Sequence, residues 1–326
     1  MKETNPIVAA RHASYATPSA IVSDIVREAT GQEGVNVVKI AQGYGNEVYR
    51  ATLDLPSSES VFVRIRRYGD TPFSQEVWAI AQARTTGVPV TDVLLLTTRV
   101  LDNAPREVMV QRALAGRPAD VLWPSLSPSD RTHICAQAGA ALRRLHSIKV
   151  GGFYRRHDDE TWDFPDWDAI AASARRDRAA EAPALHRAGF DDGEISRLLA
   201  ILDASLAELS AVPPVLCHGD FKPAHWFFDD ALLLTGIIDF GDFQGGSALL
   251  DFARLSLYAP DVNLTDVLAG YGEPDEGREE WERRLRRFTV GQAIGYLAHV
   301  MGEGDTAGAE YFTRRLRELL TERAAG

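Results

Sequence analysis

Cysteine is scarce in this chain: Cys135 and Cys217 are the two among 326 residues, distant from one another and outside any CxxC spacing. Such usage suggests neither a disulfide framework nor a zinc site, and it fits a reducing compartment. Long apolar runs are missing as well. No window approaches the roughly 18 continuous apolar residues that a bilayer span needs, and the opening MKETNPIVAARHASYA has no apolar stretch behind its lysine. A cytoplasmic protein without membrane contact is expected. Positive charge is in deficit, with a formal net charge of −11, so nucleic acid is not an expected partner. Internal repeats and low-complexity segments are also missing.

What is present is a globular composition, 45% hydrophobic and 25% charged, long enough for one large two-lobed unit or two smaller domains. TPSAIVSDIVREATG, residues 17–31, has a proline near its start, one apolar face and a closing glycine, which predicts a first helix. VNVVKIAQ, NEVYRATLDL and SVFVRIRRY are short, β-branched and partly alternating, and predict three antiparallel strands. A helix follows from Phe73 to about Thr86 with Glu76 in its first turns, and DVLLLTTRVL and REVMVQRAL predict two further strands. The turn-rich AGRPAD then marks a boundary. Residues 1–113 are expected to form a β-rich lobe, and residues 114–326 a helical one, on the helical spacing of DRTHICAQAGAALRRLHSI, GEISRLLAILDASLAELS and EEWERRLRRFTVGQAIGYLAHVM. The fold class is therefore α+β. Charge divides at the same place: the first 113 residues hold 12 basic and 12 acidic side chains, so the whole acidic excess lies beyond them. A cationic small molecule is the partner such a field attracts, although solubility alone also explains many of these charges.

Two polar loops between apolar runs carry the chemistry. In LCHGDFKPAHWFFDD, Asp220 follows His218 by two residues; in GIIDFGD, Asp239 ends an apolar run and precedes Phe240 and Gly241. An HxD alone is common in structural loops. The second carboxylate makes a pair suited to phosphoryl transfer, in which one carboxylate orients or deprotonates a hydroxyl and another holds the cation that neutralises phosphate charge. Upstream, GYGNEVYR places Gly43, Tyr44, Gly45 and Asn46 between two predicted strands, where a hairpin can cover phosphates. Arg64 and Glu76 stand where kinases carry a phosphate-contacting strand cation and its helix partner.

These residues together resemble the aminoglycoside phosphotransferase family of kinase-like small-molecule kinases, over about residues 35 to 300. The resemblance implies a two-lobed protein-kinase-like fold, ATP or GTP as phosphate donor, and Mg²⁺ as cofactor. It implies Asp220 as catalytic base, Asp239 as metal ligand, and the backbone around Gln111 and Ala113 as the adenine contact. Where the family usually has a metal-binding Asn, this chain has His225, as in the macrolide-phosphorylating branch. An imidazole nitrogen suits Mn²⁺ better than Mg²⁺. His225 either binds the metal directly, acts through a water, or fills the loop while Asp239 does the holding. Asp251, in GSALLDFA, matches a buried structural Asp of the family, with Ser247 as a helix cap, and His146 is read as structural. No activation segment with Ala-Pro-Glu fits between Asp239 and Asp251, which argues against a protein kinase.

The resemblance implies a hydroxyl of an aminoglycoside or related antibiotic as acceptor. The candidate contacts are Asp158, Glu160 and Trp162 in HDDETWDFPDWD, together with Asp159, Asp163, Asp166, Trp167 and Asp168 there, and Asp242 beyond the metal loop. Macrolide, choline-like, homoserine or sugar kinases share the motif. A non-catalytic nucleotide-binding module, with metal coordination lost at His225, is the alternative from another class. A monomer or homodimer is expected.

Overall fold

The computed structural model describes residues 14–40, 46–54, 59–67, 71–209 and 212–321. Helix α1 (Ser19–Thr30) buries Val22, Ile25 and Val26 and is stopped by Gly31 at φ 71°. Strands β1 (Gly34–Ile40), β2 (Asn46–Leu53), β3 (Ser60–Arg66), β4 (Val93–Leu101) and β5 (Ala104–Arg112) form one antiparallel sheet in the order β1-β2-β3-β5-β4. Alternation decides which face is covered. Tyr49, Ala51 and Leu53 of β2 and Val61, Val63 and Ile65 of β3 are buried with the apolar face of α1.

Helix α2 (Phe73–Thr85) joins this sheet to the rest of the molecule. Its Ala79, Ile80 and Ala83 lie in a second, larger core with Ile237, Phe240 and Phe243. Glu76 is thereby held at the junction. Beyond the sheet come β6 (Arg117–Pro118), α3 (Ala119–Leu122) and α4 (Pro128–His146), the last opened by a capping box in which Ser127 and Asp130 serve one another. The hairpin strands β7 (Phe153–Arg156) and β8 (Trp162–Phe164) lead to α5 (Trp167–Arg187) and α6 (Asp192–Leu209).

Three short strands then frame the polar loops: β9 (Val215–Cys217), β10 (Trp226–Phe228) and β11 (Leu234–Ile237). β12 (Gln244–Gly246) pairs with β9 and β7, closing a sheet ordered β8-β7-β12-β9, while β10 lies between β11 and β6. Helices α7 (Leu249–Tyr258), α8 (Leu264–Tyr271), α9 (Arg278–Gly302) and α10 (Thr306–Thr321) complete the chain. Phe221, Trp226, Phe240 and Phe252 are fully buried under the loops, each contributing about 1.5–3 kcal/mol of apolar burial. The mixed α+β class, with an antiparallel sheet first and helices after, is as expected. Among the described residues no helix is long and apolar enough to cross a membrane.

Candidate active site

Strand β9 delivers His218, Gly219 and Asp220 at its C-terminal end, and the β10–β11 hairpin delivers Ile238 and Asp239 beside them. His218 ties the two together. Its Nδ1 accepts the Asp220 backbone N–H at 3.2 Å and its Nε2 donates to the Ile238 carbonyl at 3.0 Å. A backbone donor and a backbone acceptor thus fix the neutral tautomer, and burial pushes the imidazole pKa down.

A second clamp comes from α7. The buried Asp251 carboxylate accepts the His218 N–H at 2.8 Å, the Gly219 N–H at 2.7 Å and His146 Nε2 at 2.9 Å. Burial alone would raise the Asp251 pKa; the hydrogen bond and charge of His146 outweigh it and hold the group below the usual carboxylate range. His146 Nδ1 meets the Tyr271 hydroxyl at 3.0 Å, so both its nitrogens are engaged, as its structural reading requires. Ser247 Oγ accepts the Leu249 N–H at 3.3 Å, but the N-cap position of α7 is held by Ala248, not by Ser247 as expected. Arg254, one turn after Asp251, donates to the Gly219 carbonyl. Gly219 has φ +82°, and a Cβ there would stand 1.8 Å from the Asp242 carbonyl oxygen. No other residue fits this turn.

His225 lies between the two expected functional carboxylates. Its Nδ1 donates to the Asp220 main-chain oxygen at 2.8 Å and lies 3.6 Å from Asp220 Oδ2; its Nε2 is 3.5 Å from Asp239 Oδ2. Because a carbonyl can only accept, Nδ1 carries a proton, and Nε2 faces Asp239. One ligand atom from each of Asp220, His225 and Asp239 lies within 4.8 Å of the others. Two carboxylate oxygens and one imidazole nitrogen form a donor set that fits a divalent cation, with the nitrogen favouring Mn²⁺ over Mg²⁺.

Asp239 adopts φ 67°, ψ 60°, a left-handed conformation for a non-glycine residue, a strain typical of functional loops. Desolvation in the cleft raises its pKa, yet the charges of His225 and Arg64 overcome it and the group stays below its ordinary value. Arg64, on β3, pairs with Glu76 of α2 and reaches Asp239 Oδ1 at 3.5 Å. Burial lowers the pKa of this guanidinium, but the charges of Glu76 and Asp239 outweigh it and hold the group above its ordinary value. Arg64, Glu76 and Asp239 therefore form one chain of charges. Asp242 adds a third carboxylate: desolvation, then the charge of Asp220, raises its pKa.

The remaining expected contacts are placed as follows. Gly43, Tyr44 and Gly45 lie outside the described residues, and Asn46 opens β2, paired with Arg66. Gln111 lies in β5 opposite Phe62 and Val93. The Ala113 N–H already donates to the Ser60 carbonyl at 2.9 Å, so it is committed to the sheet.

The acidic segment is largely committed too. Asp158 accepts from Ser74 Oγ at 3.1 Å and from Gln75, pinning the β7–β8 hairpin to α2. Asp159 accepts from Thr161, Glu160 pairs with Arg156 at 3.0 Å, Asp163 binds His157 at 2.8 Å, and Asp166 caps α5. Trp162 packs edge-on to Trp78 with centroids 6.0 Å apart, and Trp167 Nε1 donates to the Val212 carbonyl at 2.8 Å. Sequence reasoning missed Lys222, whose Nζ is 2.7 Å from Asp220 Oδ2, and Arg254. The sequence offered a signal for Lys222, its place two residues after Asp220; for Arg254 it offered none.

The profile of the phosphotransferase enzyme family matches residues 36–299. No curated protein matches the chain significantly. Among solved structures, aminoglycoside phosphotransferase APH(4)-Ia superposes with a TM-score of 0.71 at 14% identity, covering 95% of this chain and 100% of that one. A thermostable mutant of that enzyme, in ternary complex with AMP-PNP and hygromycin B, gives 0.67 at 14% identity, covering 92% and 97%. ADP-bound APH(2'')-Ib gives 0.59 at 17% identity, covering 94% and 98%.

Proposed function

Because the chain belongs to the phosphotransferase enzyme family, we propose that it transfers the terminal phosphoryl group of ATP or GTP to a hydroxyl of a cationic small molecule, an aminoglycoside or a related antibiotic. Antibiotic resistance or self-protection in the cytoplasm is the corresponding role. The observation that carries this reading is the placement of Asp220 and Asp239 on opposite sides of His225, at 3.6 and 3.5 Å, with Arg64 behind Asp239.

In this reading residues 1–113 hold the nucleotide and residues 114–326 present the acceptor. Arg64, fixed by Glu76, contacts the nucleotide phosphates, as a planar fork can. Asp239 and His225 Nε2 hold the divalent cation, Mg²⁺ or Mn²⁺, which when bound neutralises phosphate charge. The Asp220 carboxylate, its backbone fixed by His218 and Asp251, receives the acceptor hydroxyl and takes its proton as the new P–O bond forms. Asp242 supplies a carboxylate for an ammonium group of the acceptor. The acceptor complexes of the structural relatives, such as that with hygromycin B, support the same class.

The test is phosphate transfer from ATP and from GTP to aminoglycosides, macrolides and small amino alcohols, with Mg²⁺ and then Mn²⁺. Transfer to an aminoglycoside is expected. Asp220→Asn removes turnover while leaving nucleotide binding intact; turnover retained in that variant would show that Asp220 is not the base.

A further inference from the structure

Helix α7 has two working faces. Arg254 and Tyr258 turn towards the loop of Asp220, Arg254 donating to the Gly219 carbonyl and the Tyr258 ring lying 5.8 Å from the Lys222 ammonium. Ser256, two residues from each, stands about 200° round the helix and lines a cavity of 250 Å³ bounded also by α8, α9 and α10. The cavity therefore lies behind the wall that faces Asp220, and shares no residue with the site described above.

Its floor is apolar. Leu268, Trp281, Leu285 and Leu319 line it, each nearly or fully buried. An apolar cavity of about 150 Å³ already holds a benzene molecule, so this one has room for a substituted ring or a short chain. Its edge is cationic, with Arg278, Arg286 and Arg315. Arg278 pairs with Glu273, and Arg315 with Glu318 on its own helix. Arg286 donates to the Leu319 carbonyl of the adjacent helix and, among the described residues, forms no ion pair. The Nε of Arg286 and the Nε of Arg315 are both withdrawn from water and have no hydrogen-bond partner, a rare state for a buried donor. Glu282 also lines the cavity, but on its exposed side, where water and salt screen its charge.

Two guanidiniums on adjacent helices thus hold unused N–H groups, and one of them lacks a counter-charge. A carboxylate supplies two acceptor oxygens and matches one edge of such a fork, Nε–H beside one Nη–H. A single negative charge balances Arg286; a dianionic phosphate would exceed it. We propose that this cavity binds a small amphipathic monocarboxylate, its oxygens between Arg286 and Arg315 and its aryl or alkyl body on Trp281 and the leucines. Such a site is separate from phosphoryl transfer and does not depend on it.

Phenylacetate and hexanoate, with phenethyl alcohol and hexanol as their neutral counterparts, are titrated into the full chain. Binding is read by calorimetry and by the indole N–H signal of Trp281 in ¹⁵N-labelled protein, a signal identified by its loss in Trp281→Phe. Each acid is expected to bind at one site and move the Trp281 signal, and each alcohol to bind at least about tenfold more weakly, the loss of a hydrogen bond to a charged group. Arg286→Met and Arg315→Met are each expected to weaken the acids about ten- to hundredfold and to leave the alcohols within about twofold, which also reports an intact cavity. Acids and alcohols of equal affinity in the wild type would overturn the proposal and leave an apolar crevice, a comparison that needs no variant to fold. Acid binding that is undiminished in both arginine variants, or that leaves the Trp281 signal in place, would overturn it by moving the anion elsewhere. Absence of acid binding up to about 10 mM would overturn it outright.

Discussion

Replacing Asp251 by Asn isolates the clamp under the loop that carries Asp220. The carboxylate takes the His146 and His218 donors on Oδ2 and the Gly219 N–H on Oδ1, at 2.9, 2.8 and 2.7 Å, with no exposed surface. An amide offers one oxygen. If that oxygen keeps the two donors at the Oδ2 position, the NH₂ group faces the Gly219 N–H, donor against donor, and a buried backbone group loses its partner. Two charge-assisted bonds become neutral ones and a third is lost, which together cost about 3–5 kcal/mol, out of the roughly 5–15 kcal/mol of a typical domain. Urea unfolding of both proteins reads this as a shift in midpoint at unchanged slope. The pH dependence has a definite sign. The folded-state pKa of Asp251 is depressed, so its contribution is complete above the unfolded value of about 3.9 and disappears as pH falls through the folded value. Wild type and variant should therefore differ at neutral pH and converge in acid. A difference under about 0.5 kcal/mol at pH 7 would refute the clamp, since changes of that size are ordinary at exposed surface positions.

Two further substitutions address the loop and the metal position. Gly219→Ala brings a methyl group to 1.8 Å from the Asp242 carbonyl oxygen; the loop must shift, and turnover is expected to fall about hundredfold or more with ADP affinity retained, so wild-type turnover would contradict the tight approach. His225→Asn exchanges an imidazole nitrogen for an amide oxygen. Paramagnetic titration of Mn²⁺ in the presence of ADP should show weaker Mn²⁺ binding and a preference moved towards Mg²⁺, and an unchanged ratio would place His225 outside the coordination sphere.

Much of this molecule was legible in its sequence for local reasons. Val61, Val63 and Ile65 alternate because β3 has one covered face, and the loops of Asp220 and Asp239 stand out as polar breaks between apolar runs that became β9, β10 and β11. His146 and Asp251 could be assigned a structural role without knowing that they meet, because the family motif placed each separately. The partners of the acidic segment were not legible, for a physical reason. Its charge is visible in sequence, but its neutralisation depends on Ser74, Gln75, Arg156 and His157, which reach it through folding and turns. Helix α5 escaped notice because its alanine- and arginine-rich sequence shows little apolar stripe and carries Pro183 within it; α10 was passed over although Phe312, Leu316 and Leu319 stand at helical spacing.

The Asp251 clamp also bears on when the protein can act during its synthesis. The loop that carries Asp220 takes its backbone hydrogen bonds from a residue more than thirty positions further on, and that residue is buttressed by His146, 105 positions before it. A nascent chain that has just released Asp220 and Asp239 from the ribosome holds both carboxylates and has no scaffold to align them. A polypeptide ending before Asp251 lacks the acceptor for the His218 and Gly219 N–H groups, and the loop is scaffolded only once α7 has been made.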